Sequence, residues 1–152
     1  MRILWFGIFL LVLSVSAAAQ IDQTKEISTS QKAGNYVVHF NVFNSTDIPA
    51  SIAEQFKLVR GKDRALVNIS LIKTENGKTS LGLPAIVSGA TRNLMQQKQS
   101  LRFIEVKEGD VTYYLAPFVF NNEDLLYFDI QVKASENSSP ILVQFNRTLY
   151  KD

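Results

Sequence analysis

The chain has no cysteine and only one histidine among its 152 residues. The first absence excludes disulfides, thiol nucleophiles and cysteine-ligated metals. The second limits any histidine metal cage or Ser-His-Asp constellation to one member, His39. Charge of one sign is also missing: Lys+Arg 16 against Asp+Glu 14 leave a formal +2. Attraction to phosphate backbones or anionic lipid needs clustered, uncompensated Lys and Arg, so nucleic acid is not an expected partner. No Gly-x-Ser-x-Gly, no phosphate-cradling Gly-rich loop followed by Lys and no His-Glu-x-x-His is present.

The one long apolar run stands at the start. Met1 and Arg2 precede an apolar stretch over residues 3–15, broken by Gly7 and Ser14, and Ala17-Ala18-Ala19 follow. A basic start, an apolar centre and small residues before the cut form a secretory signal peptide. The run falls short of the ~20 residues a bilayer-spanning helix needs, so no permanent membrane anchor is expected. Cleavage after Ala19 places the mature chain in the periplasm and removes the only Trp, Trp5. An exported domain without disulfides must then hold itself together by its core. Residues 20–34, polar and without apolar periodicity, read as a flexible or edge-hugging leader, and residues 35–152 as the folded domain.

Within that domain the dominant signal is alternation. Tyr36, Val38, Phe40 and Val42 oppose Val37, His39, Asn41 and Phe43; Ala65, Val67, Ile69 and Leu71 oppose Asn68 and Ser70. Leu81, Leu83, Ala85 and Val87 repeat the period, and Pro84, which cannot donate to a ladder, assigns this strand to an edge. Leu126, Phe128, Ile130 and Val132, then Ile141, Val143 and Phe145, are the cleanest alternations. Between them, segments 101–107 and 111–120 are joined by Glu108-Gly109-Asp110, which is hairpin chemistry. In the first the apolar phase slips between Phe103 and Ile104, which a β-bulge would repair. The second is apolar on both faces, as a doubly covered strand requires. Asn76-Gly77 marks a tight turn, although a two-residue loop sets Leu81 opposite Ile72 instead of Leu71.

Only residues 49–56 read as a helix, with Ile48, Ile52 and Phe56 on one face and Thr46 or Asp47 available as caps. Seven short strands and one short helical connection predict an all-β chain: a single antiparallel β-sandwich, immunoglobulin-like, with a small closed barrel as competitor.

Chemistry is sparse. Glu108 with Asp110 and Glu123 with Asp124 are carboxylate pairs on turns, where burial enough to raise one pKa is unusual, so a carboxylate-based hydrolase is the weakest reading. Asn121, Asn122, Glu123 and Asp124 could collect oxygens around calcium, but these residue types suit turns for backbone reasons alone. Neither a metal nor a cofactor is expected. The residues best placed for recognition are His39 and Asn41 on an outward strand face, Arg92 and Asn93 in the segment 89–99 that interrupts the strand pattern, and Tyr113 and Tyr114 in the aromatic-rich strands. The expected function is non-enzymatic binding of a protein or envelope component through an edge strand or loop end, with small-ligand binding near the aromatic strands as the alternative.

Three segments carry a resemblance: Tyr36-Val37-Val38-His39-Phe40-Asn41-Val42-Phe43-Asn44-Ser45-Thr46, Ala65-Leu66-Val67-Asn68-Ile69-Ser70 and Gly109-Asp110-Val111-Thr112-Tyr113-Tyr114-Leu115-Ala116. From about Tyr36 to Tyr150 the chain resembles an uncharacterised family of gammaproteobacterial exported proteins, the domain-of-unknown-function family 4426. The resemblance implies a bacterial periplasmic setting and one small domain, and it transfers no catalytic residue.

Overall fold

The protein is described by a computed structural model covering residues 28–151. The signal peptide, Trp5 and most of the leader lie outside the described residues. Ten strands form where seven are predicted: β1 Ser30–Ala33, β2 Tyr36–Asn44, β3 Arg64–Glu75, β4 Lys78–Thr79, β5 Ile86–Arg92, β6 Lys98–Leu101, β7 Ile104–Glu108, β8 Val111–Val119, β9 Asp124–Lys133 and β10 Ile141–Leu149. The added strands β1, β4 and β6 have four residues or fewer, too few to show a period. Sheet one runs β1-β2-β3-β8-β7, with β4 also on β3; sheet two runs β10-β9-β5-β6. All pairings are antiparallel. The two sheets share no ladder, so the molecule is a sandwich and not a closed barrel.

The alternations become the core between the sheets. Val38, Ala65, Val67, Ile69 and Leu71 from sheet one meet Leu126, Phe128, Ile130, Val132 and Val143 from sheet two. Phe145 stacks on Phe40 at 4.5 Å and on Phe128 at 4.7 Å between ring centroids, while Phe118 meets Phe128 edge-on at 5.3 Å. Rings so arranged add to plain area burial and tie the two sheets together.

The predicted helix is α1, Ala50–Gln55, entered through a 3-10 turn over Ser45–Asp47. Its N-cap is Pro49 instead of Thr46 or Asp47. Ala53 of the helix, with the flanking Ile48 and Leu58, packs on Leu66, Val106 and Leu115 and thereby covers part of the outer face of sheet one. This second cluster is why β8, and β3 at Leu66, carry apolar residues on the outer face as well.

Two expectations are corrected by the topology and two are sharpened. Pro84 lies outside the ladder; β5, which begins two residues later, has β9 on one side only over residues 86–88, an edge as expected, and gains β6 on the other side from Gly89 onward. Residues 89–92 do not interrupt the strand pattern but form the end of β5. Gly89 sits there because a Cβ would come within 2.6 Å of the Asp129 carbonyl oxygen of the neighbouring strand. The phase slip near Phe103 is no bulge. The chain leaves sheet two at Leu101 and enters sheet one at Ile104; Leu101 and Phe103 face the inter-sheet core, whereas Ile104 and Val106 turn to the α1 cluster on the outer face. Of the two readings of the leader, the edge-hugging one describes its end: Ser30–Ala33 is the edge strand of sheet one, turning through Gly34 (φ 58°) into β2.

The Asn76-Gly77 conflict resolves as a bulge. Glu75 pairs with Lys78 across the two residues, both at positive φ, whereas Leu83 pairs with Leu71, one residue out of phase. Leu81 is the residue thrown outward, 58% exposed. Gly82 then wedges between β3 and β8: its carbonyl accepts from Thr112 N at 2.9 Å, and a Cβ there would stand 2.3 Å from the Thr112 oxygen.

Candidate functional site

The six residues singled out from the sequence fall in four separate places. His39 and Asn41 stand exposed on β2, facing away from the core, in register with Ser70 and Asn68 of β3. With Thr29 and Phe40 these four line a recess of about 380 Å³ on the outer face of sheet one. Asn41 Oδ1 accepts from Val42 N at 2.9 Å, which fixes that side chain's acceptor end. Asn68 Oδ1 is buried and accepts no hydrogen bond.

Arg92 lies on the outer face of sheet two. Its guanidinium stands over the Tyr127 ring at 4.7 Å and 3.5 Å from the Asp129 carboxylate, which in turn accepts from Gln144 Nε2 at 2.8 Å. The pair is partly solvated and worth a fraction of a kcal/mol on ordinary scales, about 0.5. Asn93 serves the architecture by closing the β5–β6 hairpin. Its Nδ2 donates to Gln97 Oε1 at 2.7 Å, its Oδ1 accepts from Gln97 N at 3.0 Å, and its backbone carbonyl accepts from Gln96 N at 3.0 Å. Leu94 and Met95 are thereby held at the tip, 66% and 73% exposed.

Tyr113 and Tyr114 point to opposite sides of sheet one, so no continuous aromatic face exists between them. Tyr113 packs beside the α1 cluster and donates to Glu108 Oε1 at 2.8 Å. Burial first, and then the Glu108 carboxylate, push its hydroxyl up to about 12. Tyr114 is in the inter-sheet core, where its hydroxyl accepts from Ala85 N at 2.7 Å and donates to Glu105 Oε2 at 3.1 Å. Burial raises its pKa as well. Glu105 is held below the usual carboxylate range, chiefly by its hydrogen bond to Lys107.

A cleft of about 460 Å³ opens at the end of the sandwich between the β5–β6 hairpin and the β8–β9 connection. Phe120 and Leu126, both 4% exposed, line it together with the amides of Asn93, Gln97, Gln99 and Asn121 and charges of both signs, Asp63, Asp124, Lys98 and Lys151. Sequence reasoning reached Arg92 and Asn93, the rest of segment 89–99 and the turn at 121–124, but missed Asp63 and Lys151. These belong to two distant segments, and no local spacing announces their meeting. In the turn at 121–124 the Asp124 carboxylate serves the turn itself, its Oδ2 accepting from Asn121 N at 3.3 Å, while the Asn122 amide oxygen accepts from Lys151 N at 2.9 Å and ties down the end of the chain after β10. Among the described residues no group of three or more His, Cys, Asp or Glu converges as metal ligands would, and no helix is long and apolar enough to cross a membrane.

Comparison with known proteins follows the same outline. A family model described as a domain of unknown function, DUF4426, matches residues 30–152. A crystal structure of a DUF4426 family protein from Pseudomonas aeruginosa PAO1 is similar at 30% identity, with 81% of this chain and 94% of that chain covered and a TM-score of 0.69. Two structures of uropathogenic Escherichia coli FetP share the fold at 11% identity. One, of protein expressed recombinantly in the periplasm, covers 80% of this chain and 93% of that chain with a TM-score of 0.56. The other, of a copper-bound variant, covers 80% and 94% with a TM-score of 0.59. No curated protein matches the sequence. The chain belongs to the DUF4426 family.

Proposed function

We propose that this DUF4426 chain is an exported, non-enzymatic binding module of the bacterial envelope, which engages a protein or envelope component through the loop end of its sandwich. Export is supported by the basic, apolar and small-residue order of residues 1–19, and by a fold shared with FetP that was expressed in the periplasm. The observation that carries the binding reading is the hairpin tip. Leu94 and Met95 are presented to solvent by a turn that Asn93 locks with side-chain and backbone hydrogen bonds, directly beside the end cleft. Rigidly presented apolar side chains at a loop end cost solubility and are what a docking contact uses.

Copper, bound by a variant of FetP, finds a poor donor set in this chain. Copper favours imidazole, thiolate and thioether ligands; His39 lies on β2 of sheet one and Met95 at the tip of the β5–β6 hairpin of sheet two, and there is no cysteine.

The test is a photo-crosslinker placed at residue 94 of the mature protein in envelope extract. One discrete adduct is expected, competed away by unlabelled protein and not by the Leu94→Ser, Met95→Ser double variant. Equal competition by that variant sinks the reading. The end cleft, floored by Phe120 and Leu126, favours a second reading in which it takes a small molecule; native mass spectrometry showing a retained mass that vanishes in a Lys98→Ala, Lys151→Ala variant would select it.

A further inference from the structure

The recess on the outer face of sheet one lies apart from the loop end and has a different chemistry. Its lining residues are Thr29, His39, Phe40, Asn41, Asn68 and Ser70, without any Asp, Glu, Lys or Arg. An ion entering it would lose hydration with no fixed counter-charge in return. A neutral ligand would meet hydroxyls, amides and one imidazole.

Asn68 is the residue that stability does not explain. Its Oδ1 is buried and unpartnered on a strand whose neighbours Ile69 and Val67 are fully enclosed. An orphaned acceptor is a cost that an apolar side chain of the same shape would remove. The adjoining groups are ready to share a ligand. Asn41 spends its Oδ1 on Val42 N and keeps its Nδ2 as donor, and Ser70 lies opposite His39 in the ladder. The terminal torsion of asparagine is soft, so a small rotation turns the Asn68 acceptor toward a donor held in the recess.

We infer that this recess binds an uncharged small molecule bearing several hydroxyl or amide N–H groups, of the size of a monosaccharide, with the Asn68 Oδ1 accepting one of its hydrogen bonds. The volume is at the lower end of what small-molecule sites use.

The experiment is a proton–nitrogen NMR titration of the mature protein with N-acetylglucosamine, run beside glucose 6-phosphate as the charged counterpart. Saturable shifts are expected at the amides of residues 39–41 and 68–70 and at the Asn68 side-chain amide, with the phosphate ester at least about tenfold weaker. Asn68→Leu is expected to melt no lower than the wild type and to lose saturation. The inference is overturned by shifts that do not saturate by roughly 50 mM, by shifts confined to the end cleft, or by an undiminished response in Asn68→Leu. Should Asn68→Leu fail to fold, His39→Ala and Ser70→Ala decide: weakening by about tenfold in either sustains the inference, and wild-type binding in both overturns it.

Discussion

Tyr113 and Tyr114 are consecutive in the chain and sit in opposite worlds, one beside the α1 cluster and one between the sheets. The consequence for Tyr113 is measurable. Its folded pKa of about 12 lies above the value of about 10 that it has when unfolded, so between these pH values the native state keeps a proton that the unfolded state has lost. Its contribution to stability is therefore complete below pH 10 and disappears as the pH climbs through 12. Chemical denaturation at a series of alkaline pH values should show stability falling across this window, and Tyr113→Phe should remove part of that slope. An unchanged slope in the variant would mean that neither burial nor the Glu108 contact holds the proton on the hydroxyl. Residue-level reading of the sequence succeeds where alternation alone decides, as for the outward His39 and Asn41. It fails where partners come from afar: Asn68 and Ser70 join them only because β2 and β3 pair across the intervening α1, and no motif encodes that register.

At the scale of elements, errors arise where an element changes its surroundings. Alternation identifies a strand but not its sheet, so the exchange of sheets at Arg102-Phe103 looks like a fault in one strand. Gly89 looks like a breaker because its lack of a side chain, which permits close approach to Asp129, is a property of the neighbour and not of β5. Strand β10, by contrast, is legible throughout, and its central aromatic shows why it is placed where it is. Phe145 stacks on Phe40 from sheet one and on Phe128 from sheet two, and Arg147 lies over it at 5.1 Å while donating to the Ser28 carbonyl at 2.7 Å. Phe145→Ala removes both stacks and leaves a void between the sheets, which should lower unfolding free energy by about 3 kcal/mol. Leu142, on the same strand but 56% exposed, should tolerate serine within ~0.5 kcal/mol. Urea titrations of the two variants compare these directly; similar losses in both would show that β10 is held by its ladder and not by the ring.

For the whole molecule, the lack of disulfides makes cohesion a matter of layers. β3 is the strand on which these meet: it pairs with β2, β8 and β4, turns Ala65, Val67, Ile69 and Leu71 toward sheet two and Leu66 toward the α1 cluster. β9 holds the corresponding place in sheet two, between β10 and β5, with four core residues from Leu126 to Val132. Opening either strand disrupts two ladders and the shared core at once, whereas β1, β6 and β7 can detach from one neighbour alone. Native-state hydrogen exchange should therefore find the slowest amides in β3, β8 and β9, exchanging only through global unfolding, and markedly faster ones in β1 and β6. The order also bears on function. The surfaces proposed for recognition differ in their footing: the recess of His39 and Asn68 rests on β2 and β3, and the hairpin that presents Leu94 and Met95, its tip locked by Asn93, grows from the end of β5 and the short edge strand β6. Protection in β6 equal to that in β9 would show that the edge strand opens only with the core and would overturn this order.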